Sequence, residues 1–578
     1  MTTSPLPGYR NTRSRWTRRL ASLPLVSRTI RGIRWVLGPS RPVPSEQIPP
    51  PSPSLSLSFT LASRSYSTLT DPPIVRFVGK WRLNRLLFLF LALWATMLVL
   101  LIRQQYYVSG PQIIDCNDAY YDSWPPETCG LNASDCADSL KPGTYRCMGG
   151  CQDVTLGNPR WVGGETINGV PMVIGGGDGR YRADSWACPA AIQAGLVGRY
   201  LGGCVSLRPF PFGSLQADFQ GTRAHHVESV SFAPSYPGAY QLARDVCGGC
   251  LDIHPIVSAA NAICLFLTTL LLDPAPGVLY SILVLLGYIQ IMLFSNPPRA
   301  PPNWEIVFQR LVPVLLASYF FWRVSFRRTL LAFRRLPLEL AIWQGFGYWI
   351  GIESSTIFAK LPIDRLGYGT LSAGGVVSLI VIIVLVIILA LVQAWQMRKL
   401  GMLQYYIARY IPLVPILVIL AFIPNYTLRL HHYLLATAAI PVLSLPNRVS
   451  LAAQAFALGL FLDGVGRWGM DSILEYTASL LGDAAVGTDM PAFMPNFSNS
   501  TTISWFPITP ALLAEDYNGV SVIVDDVLRA VNVTASSGHP PANNLLAPVK
   551  HQFNVNGTTQ DFTDPIALSP NGTWVELG

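Results

Sequence analysis

Charge is scarce in this chain. Lys, Arg, Asp and Glu make up 13% of its 578 residues, against about 25% in an ordinary soluble domain. That deficit excludes a purely soluble assembly of several domains. Half of the residues are hydrophobic, and much of that surface has to face lipid. Acids are nearly missing from the first 85 residues, where Glu46 and Asp71 stand against 14 Lys and Arg. The stretch 483–578 has the reverse shortage, with Arg529 and Lys550 against nine acids. The formal net charge of +8 is therefore a head of +12 partly cancelled by a tail of −7. It is not the basic surface that nucleic acid requires, and no nucleic-acid partner is expected.

Long apolar runs are what the chain has instead. A transmembrane helix needs about 20 mainly apolar residues. Nine stretches approach that length: Leu86–Ile102, Ile256–Leu272, Val278–Phe294, Ile306–Trp322, Leu336–Phe358, Leu371–Trp395, Met402–Pro424, Tyr433–Leu445 and Leu451–Trp468. The first lies too far in for an ordinary cleavable signal and reads as a signal anchor at 86–102. Residues 1–85, Pro- and Ser-rich around Arg41–Ser58, read as a disordered basic cytosolic head. Within it, Trp16–Leu37 interleaves Arg with apolar residues, as a solvated tail or as an amphipathic helix on an anionic membrane face. Residues 103–255 form a lumenal, Cys-rich region. Residues 256–468 hold about eight further spans, and 469–578 form a lumenal tail, extended apart from a short strand near Val520–Val524.

Two independent cues set the orientation. With the N-terminus in the cytosol, cytosolic loops hold Arg323, Arg327, Arg328, Arg334, Arg335, Arg398, Lys399 and Arg448, against Arg299, Lys360, Arg365 and Arg429 opposite. That agrees with the excess of Lys and Arg in cytoplasmic loops. Glycosylation sequons start at Asn132, Asn425, Asn496, Asn499, Asn532, Asn556 and Asn571, with none in 1–85. Nine crossings from a cytosolic start place all seven on the lumenal side.

Nine of the ten cysteines fall between Cys116 and Cys250. In a secretory compartment such a cluster reads as disulfides, with Cys129, Cys136, Cys147, Cys151, Cys188, Cys204, Cys247 and Cys250 as candidates. The tenth, Cys264, reads as a small apolar core residue. No His accompanies Cys147–Cys151 or Cys247–Cys250 at finger-like spacing, so no zinc is expected.

The segments CGLNASDC (Cys129–Cys136), YRCMGGC (Tyr145–Cys151), NPRWVGGE (Asn158–Glu165), YRADSWACPAAIQAG (Tyr181–Gly195), GGC (Gly202–Cys204) and VESVSF (Val227–Phe232) resemble the LCCL domain. In particular they resemble the version found in multi-pass fungal membrane proteins. The likeness covers about 120–242, with PNYTLRLHHY (Pro424–Tyr433) adding to it in the membrane part. The resemblance implies an α+β fold with a central helix wrapped by strands and two disulfides. It pairs Cys151 with Cys188, and Cys147 with Cys129 or Cys136. Gln193 stands where the family usually has His, and Met148 where it has Pro, so no role of that His carries over.

The residues also make sense without the name. Asp184–Val197 carries Trp186, Ala190, Ala191 and Ala194 near helical spacing, with Asp184 or Ser185 able to cap its start. Gly175-Gly176-Gly177 allows a tight turn, and it lacks the Lys-Ser/Thr of a phosphate loop. Among the spans, Glu339, Arg409, His431, His432, Asp463 and Arg467 are the intramembrane polar candidates. Asp463 and Arg467 lie one turn apart and read as interhelical glue. The adjacent His431 and His432 point about 100° apart on a helix and are poorly placed to share a metal. The expectation is a helical multi-pass membrane glycoprotein that displays a lumenal LCCL domain and carries no cofactor, metal or catalytic residue. Its partners are membrane lipid and a glycan, lipid or protein ligand of that domain. The membrane is that of the endoplasmic reticulum, the vacuole or the cell surface. The alternatives are a transporter or channel, and an intramembrane metal-dependent hydrolase.

Overall fold

The computed structural model describes residues 37–39, 56–61, 64–69, 71–108, 110–119, 142–156, 160–163, 165–210, 216–245, 248–295, 301–358, 373–429 and 431–476, with strands between 519 and 576. Cys129, Asn132, Cys136, Cys247, Asn496, Asn499, Asn556 and Asn571 lie outside the described residues, as does the Trp16–Leu37 segment apart from Leu37.

Helix α1, Asp71–Trp81, falls inside the segment expected to be disordered and corrects that expectation for its own length. Asp71 followed by two prolines is a strong helix start. Its buried carboxylate also accepts a hydrogen bond from the backbone of Leu338 at 2.8 Å, which ties α1 to the bundle. A two-stranded hairpin, Ser56–Leu61 with Arg64–Leu69, precedes it. The apolar runs then follow as helices. They are α2 (Leu83–Tyr106), α4 (His254–Leu271), α5 (Pro276–Phe294), α6 (Trp304–Phe333), α7 (337–352) with the short α8 (Ser354–Ile357), α9 (Val376–Lys399), α10 (Leu403–Ala421), α11 (His432–Val442) and α12 (Arg448–Trp468). Helix α3, Ala187–Gln193, belongs to the domain between α2 and α4.

Seven of these helices (α2, α4, α5, α6, α9, α10 and α12) are long and apolar enough to cross a membrane. The other two expected spans, α7 and α11, are helical but shorter, because α7 ends at the turn of Glu353 and α11 at Leu443. Side-chain contacts sort the helix ends into two sets. Tyr106, His254 and Leu293 meet at one end, with Arg310 reaching Gly466 and Ser295 reaching Glu353. At the other, Glu339 pairs with Arg448, and Gly38 accepts from Gln404.

Helix α12 is the axis of the bundle, with 72% of its apolar window buried. It lies backbone to backbone on α7. A Cβ at Gly347 would stand 2.2 Å from the Ala452 carbonyl oxygen, one at Gly351 2.3 Å from that of Phe456, and one at Gly459 2.6 Å from that of Tyr348. Gly347 and Gly351 thus form the small-xxx-small seam that lets apolar helices approach closely. These two glycines carry the closest backbone approaches between helices of the bundle.

The domain between α2 and α4 is built on a five-stranded sheet. Its order is Gln112–Ile114, Gly143–Cys147, Gly203–Pro209, Ala239–Asp245, Arg180–Arg182, with the first pair parallel and the others antiparallel. Helix α3 is buried along its whole length, its alanines letting the strands close on it. Asp184 and Ser185 do not cap it: Asp184 takes the fork of the fully buried Arg182 at 2.8 and 2.6 Å, and Ser185 bonds Ile174. The Arg182 guanidinium also lies 4.5 Å from the Phe232 ring centre and 4.4 Å from that of Tyr236, a desolvated cation–π arrangement. Gly175 and Gly176 take φ of 91° and 96°, the turn expected of the glycine run.

Among the described residues, three disulfides join Cys116 to Cys151, Cys147 to Cys188 and Cys204 to Cys250. This corrects the pairing implied by the resemblance. Cys147 ends a strand that faces α3, so its sulfur meets Cys188. Gly150, at φ 88°, then turns the chain and hands Cys151 to Cys116. Cys264 is free and packs half-buried against the bundle core. Toward the C-terminus, Gly519–Val524 is a strand as expected, but it belongs to a six-stranded sheet that replaces the expected extended tail. Strand-forming runs such as Val520, Val522 and Val524 supply the reason.

Replacing Gly351 with Leu forces α7 off α12. We expect a loss of about 3 kcal/mol, the upper end for overpacking, read as a lowered Tm of the detergent-solubilised chain. Gly277, where a Cβ meets nothing closer than 3.7 Å, is the control position, and Gly277→Ala leaves Tm nearly unchanged.

Candidate functional site

A buried carboxylate stands at the junction between the inter-helix domain and the bundle. Asp252, buried just before α4, accepts from Gln105 Nε2 of α2 (2.9 Å), from the Gly149 backbone N–H of the domain (2.8 Å) and from the His254 backbone N–H of α4 (3.1 Å). The His254 ring lies against the same carboxylate, and its Nε2 is 2.8 Å from the Tyr106 hydroxyl. Arg146 of the domain donates to the Gln105 carbonyl at 2.9 Å, and the Cys204–Cys250 disulfide closes the same corner. Burial opposes ionisation of Asp252, but the bonds and charge of His254 and the Gly149 N–H outweigh it and hold the carboxyl below the usual aspartate value. Burial pulls the Arg146 guanidinium below its ordinary value, against the charge of Asp252.

Beside this clamp a cleft of about 450 Å³ opens between domain and bundle. Asp115, Met148 and Val154 form one wall, and Ile306, Arg310 and Arg467 the other. Arg310 donates to the Gly466 and Arg467 carbonyls, satisfying the open C-terminal end of α12. From the floor of the cleft a column of polar side chains runs into the bundle. Arg467 donates to Asp463 at 2.8 Å and to the Ser295 carbonyl. Asp463 also accepts from Ser354 at 2.7 Å and from Ser355. Ser295 donates to Glu353 at 2.8 Å, and Ser258 reaches the other oxygen of Glu353 at 3.4 Å. Ser258 accepts from Gln290, which accepts from Asn261 at 2.8 Å, which accepts from Trp94 at 2.8 Å.

Of the intramembrane polar candidates, only Asp463 and Arg467 come together. Glu339 forms a separate ion pair with Arg448 at the opposite end. Arg409 is surface-exposed and lies over the Tyr405 ring. His431 bonds the Ser472 carbonyl at 2.9 Å, while His432 faces Trp468. Among the described residues no group of three or more His, Cys, Asp or Glu is placed to hold a metal ion. Sequence reasoning missed Glu353, Asn261, Gln290 and Arg310, although each lies inside an expected span and their polarity there was the signal. Asp252 lies outside the spans and carried no such signal.

A buried helix wrapped by strands, tied by Cys147–Cys188 and Cys116–Cys151, is now in view. Residues 114–237 match the LCCL domain. The chain is also similar to the uncharacterized protein YIL067C of Saccharomyces cerevisiae, 29% identical over 453 residues that cover 72% of this chain. The chain spans 65% of that relative's length. No solved structure matches it.

Two outcomes follow from this geometry. Because the Asp252 carboxyl is lowered in the folded state, its contribution is complete above about pH 4, the ordinary aspartate value. It fades as pH falls through the lowered value. Protection of the Gly149 and His254 amides, taken relative to their intrinsic exchange at each pH, should therefore hold at pH 5 and fall below about pH 4, and Asp252→Asn should lower it already at pH 7. In the bundle, Asp463→Leu strands the Arg467 charge and lowers stability by about 3–5 kcal/mol. Replacing both, with Arg467→Met added, recovers most of that loss, as measured by thermal unfolding in detergent.

Proposed function

We propose that the chain is a multi-pass membrane glycoprotein of the secretory pathway whose helix bundle holds the LCCL domain at the lumenal or extracellular surface as a binding module. The observation that carries this reading is the clamp at Asp252. It joins α2, α4 and the domain in one buried hydrogen-bonded node, so the domain is presented in a fixed pose and not on a loose stalk. A ligand glycan, lipid or protein is taken up by that domain, with the cleft beside the clamp as the first place to look. No catalytic residue is assigned.

The topology proposed with it has a cytosolic N-terminus, nine crossings and a lumenal C-terminal tail. Two sets of helix ends are what an alternating series of crossings requires. Asn425 adjoins a short strand, Tyr426–Leu428, that pairs with Leu474–Tyr476 beyond α12, which fits both segments lying on one side. A transporter reading draws on the polar column. Its side chains are bonded to one another, however, which suits a structural spine better than a path.

Binding of the full chain in nanodiscs to arrayed glycans and to lipid vesicles tests the module. Retention should be lost on excising residues 110–250 and should survive Arg409→Ala and His431→Ala. Retention unaffected by the excision would sink the binding-module reading. Glycosidase treatment should shift the intact protein, and Gln at Asn496, Asn499, Asn532, Asn556 and Asn571 should abolish the tail's share of that shift. A tail without glycan would overturn the topology.

A further inference from the structure

A second cavity lies away from the LCCL domain, on the flank of the bundle between α4, α5 and α7. It encloses about 510 Å³, within the range of roughly 300–1,000 Å³ that holds one small molecule. Its walls are apolar, with Leu265 of α4, Leu283 of α5 and Phe346 and Ile350 of α7. Phe346 and Ile357 at its rim are strongly exposed, so the crevice opens sideways through the apolar surface of the bundle. Two groups in it are unexplained by the fold. Gln344 is 2% exposed, yet neither its amide oxygen nor its amide nitrogen has a hydrogen-bond partner, and the buried Trp349 Nε1 has none either. Buried polar atoms are rarely left so. Gln344 ends the π-helical turn Leu340–Gln344, a distortion that recurs at functional sites.

We propose that this crevice binds a sterol-class lipid, hydroxyl inward. The chemistry of the unpartnered atoms selects the head group. A free amide needs one partner that donates to its oxygen and accepts from its nitrogen, and a hydroxyl does both. A phosphate or carboxylate only accepts, and a protonated amine only donates. No Lys, Arg or His is among the described lining residues, and the one ionisable group, Glu353, is a carboxylate. An anionic lipid therefore has no counter-charge here. A diacylglycerol brings ester oxygens that apolar walls leave unmet, whereas a sterol brings one hydroxyl on an otherwise apolar rigid body. The occupant comes from the bilayer, so the proposal rests on the membrane reading but not on any ligand of the LCCL domain.

The full chain in sterol-containing nanodiscs is labelled with a photoreactive sterol, and the label is mapped by mass spectrometry. It should fall on α4 and α7 and be displaced by unlabelled sterol. The sterol methyl ether should compete about tenfold less well, the effect of one lost hydrogen bond. Gly345 lines the crevice, and a Cβ there meets no atom within 4 Å. Gly345→Leu thus fills the space without a clash and should cut labelling at least about tenfold, the loss a blocked pocket implies. Gln344→Leu keeps the volume and should make sterol and ether compete equally. Equal labelling of wild type and Gly345→Leu would overturn the proposal. So would equal competition by ether and sterol on the wild type, or a diacylglycerol or phospholipid probe that sterol does not displace. Should Gly345→Leu fail to elute as the wild type does, the Gln344→Leu competition decides alone. If the glycosidase shift holds while the sterol label fails, only the sterol proposal falls.

Discussion

An arginine and an aspartate shut inside an apolar bundle must have every remaining N–H and lone pair met, because the loss of one bond there is far larger than in water. Asp463 and Arg467 face each other on α12, and neither can satisfy the other alone. The remaining bonds come from Ser295 at the end of α5 and from Ser354 and Ser355 just past α7. These bonds fix where α5 and α7 stand along α12. Glu353 then needs Ser295 and Ser258, and Ser258 needs Gln290, so the requirement passes to α4 and at last to Trp94 on α2. Each polar residue placed in the bundle demands the next. The register of five helices follows from that demand, while apolar contact alone would allow them to slide.

The close approach of α7 and α12 works in the same direction by a different means. Polar pairing sets the register along the helix axes, and glycine sets the distance between them. With Gly347, Gly351 and Gly459 in place, two backbones touch, and dispersion acts along the whole seam. Helices α9 and α10 are held by isolated polar bonds: Ser450 of α12 donates to Gln393 of α9 at 2.8 Å, and Tyr410 of α10 donates to the Ala438 carbonyl of α11. Their apolar windows are 6% and 0% buried, and they join the rest mainly through a small cluster of Met397, Met402 and Leu445.

How much of this was legible depended on whether the signal was local. Apolar runs announce themselves over 20 residues, and every expected span is helical. The glycine turn at Gly175–Gly176 and the Asp463–Arg467 pairing also follow from near neighbours. What escaped is set by distant partners. Asp184 looks like a helix cap, but the buried Arg182 two residues earlier claims it. Cys147 and Cys151 sit four apart, and only the turn at Gly150 decides which of them reaches Cys188. Glu339 and Glu353 are both carboxylates in one apolar run, yet one meets Arg448 and the other a pair of serines. Asp252 gave no sign of its role, since its partners come from positions 105, 149 and 254.

The clamp at Asp252 has an architectural consequence. The chain leaves α2 at Tyr106 and re-enters the bundle at His254, and those two side chains touch. Entry and exit of the whole intervening domain are therefore side by side, closed at the base like the neck of a pouch. The bonds and glycine contacts that set α5 and α7 against α12 lie below that neck and include no residue of the intervening domain. Such a neck tolerates exchange of its contents. The helix bundle is in that sense a socket, with its own packing below the domain it carries.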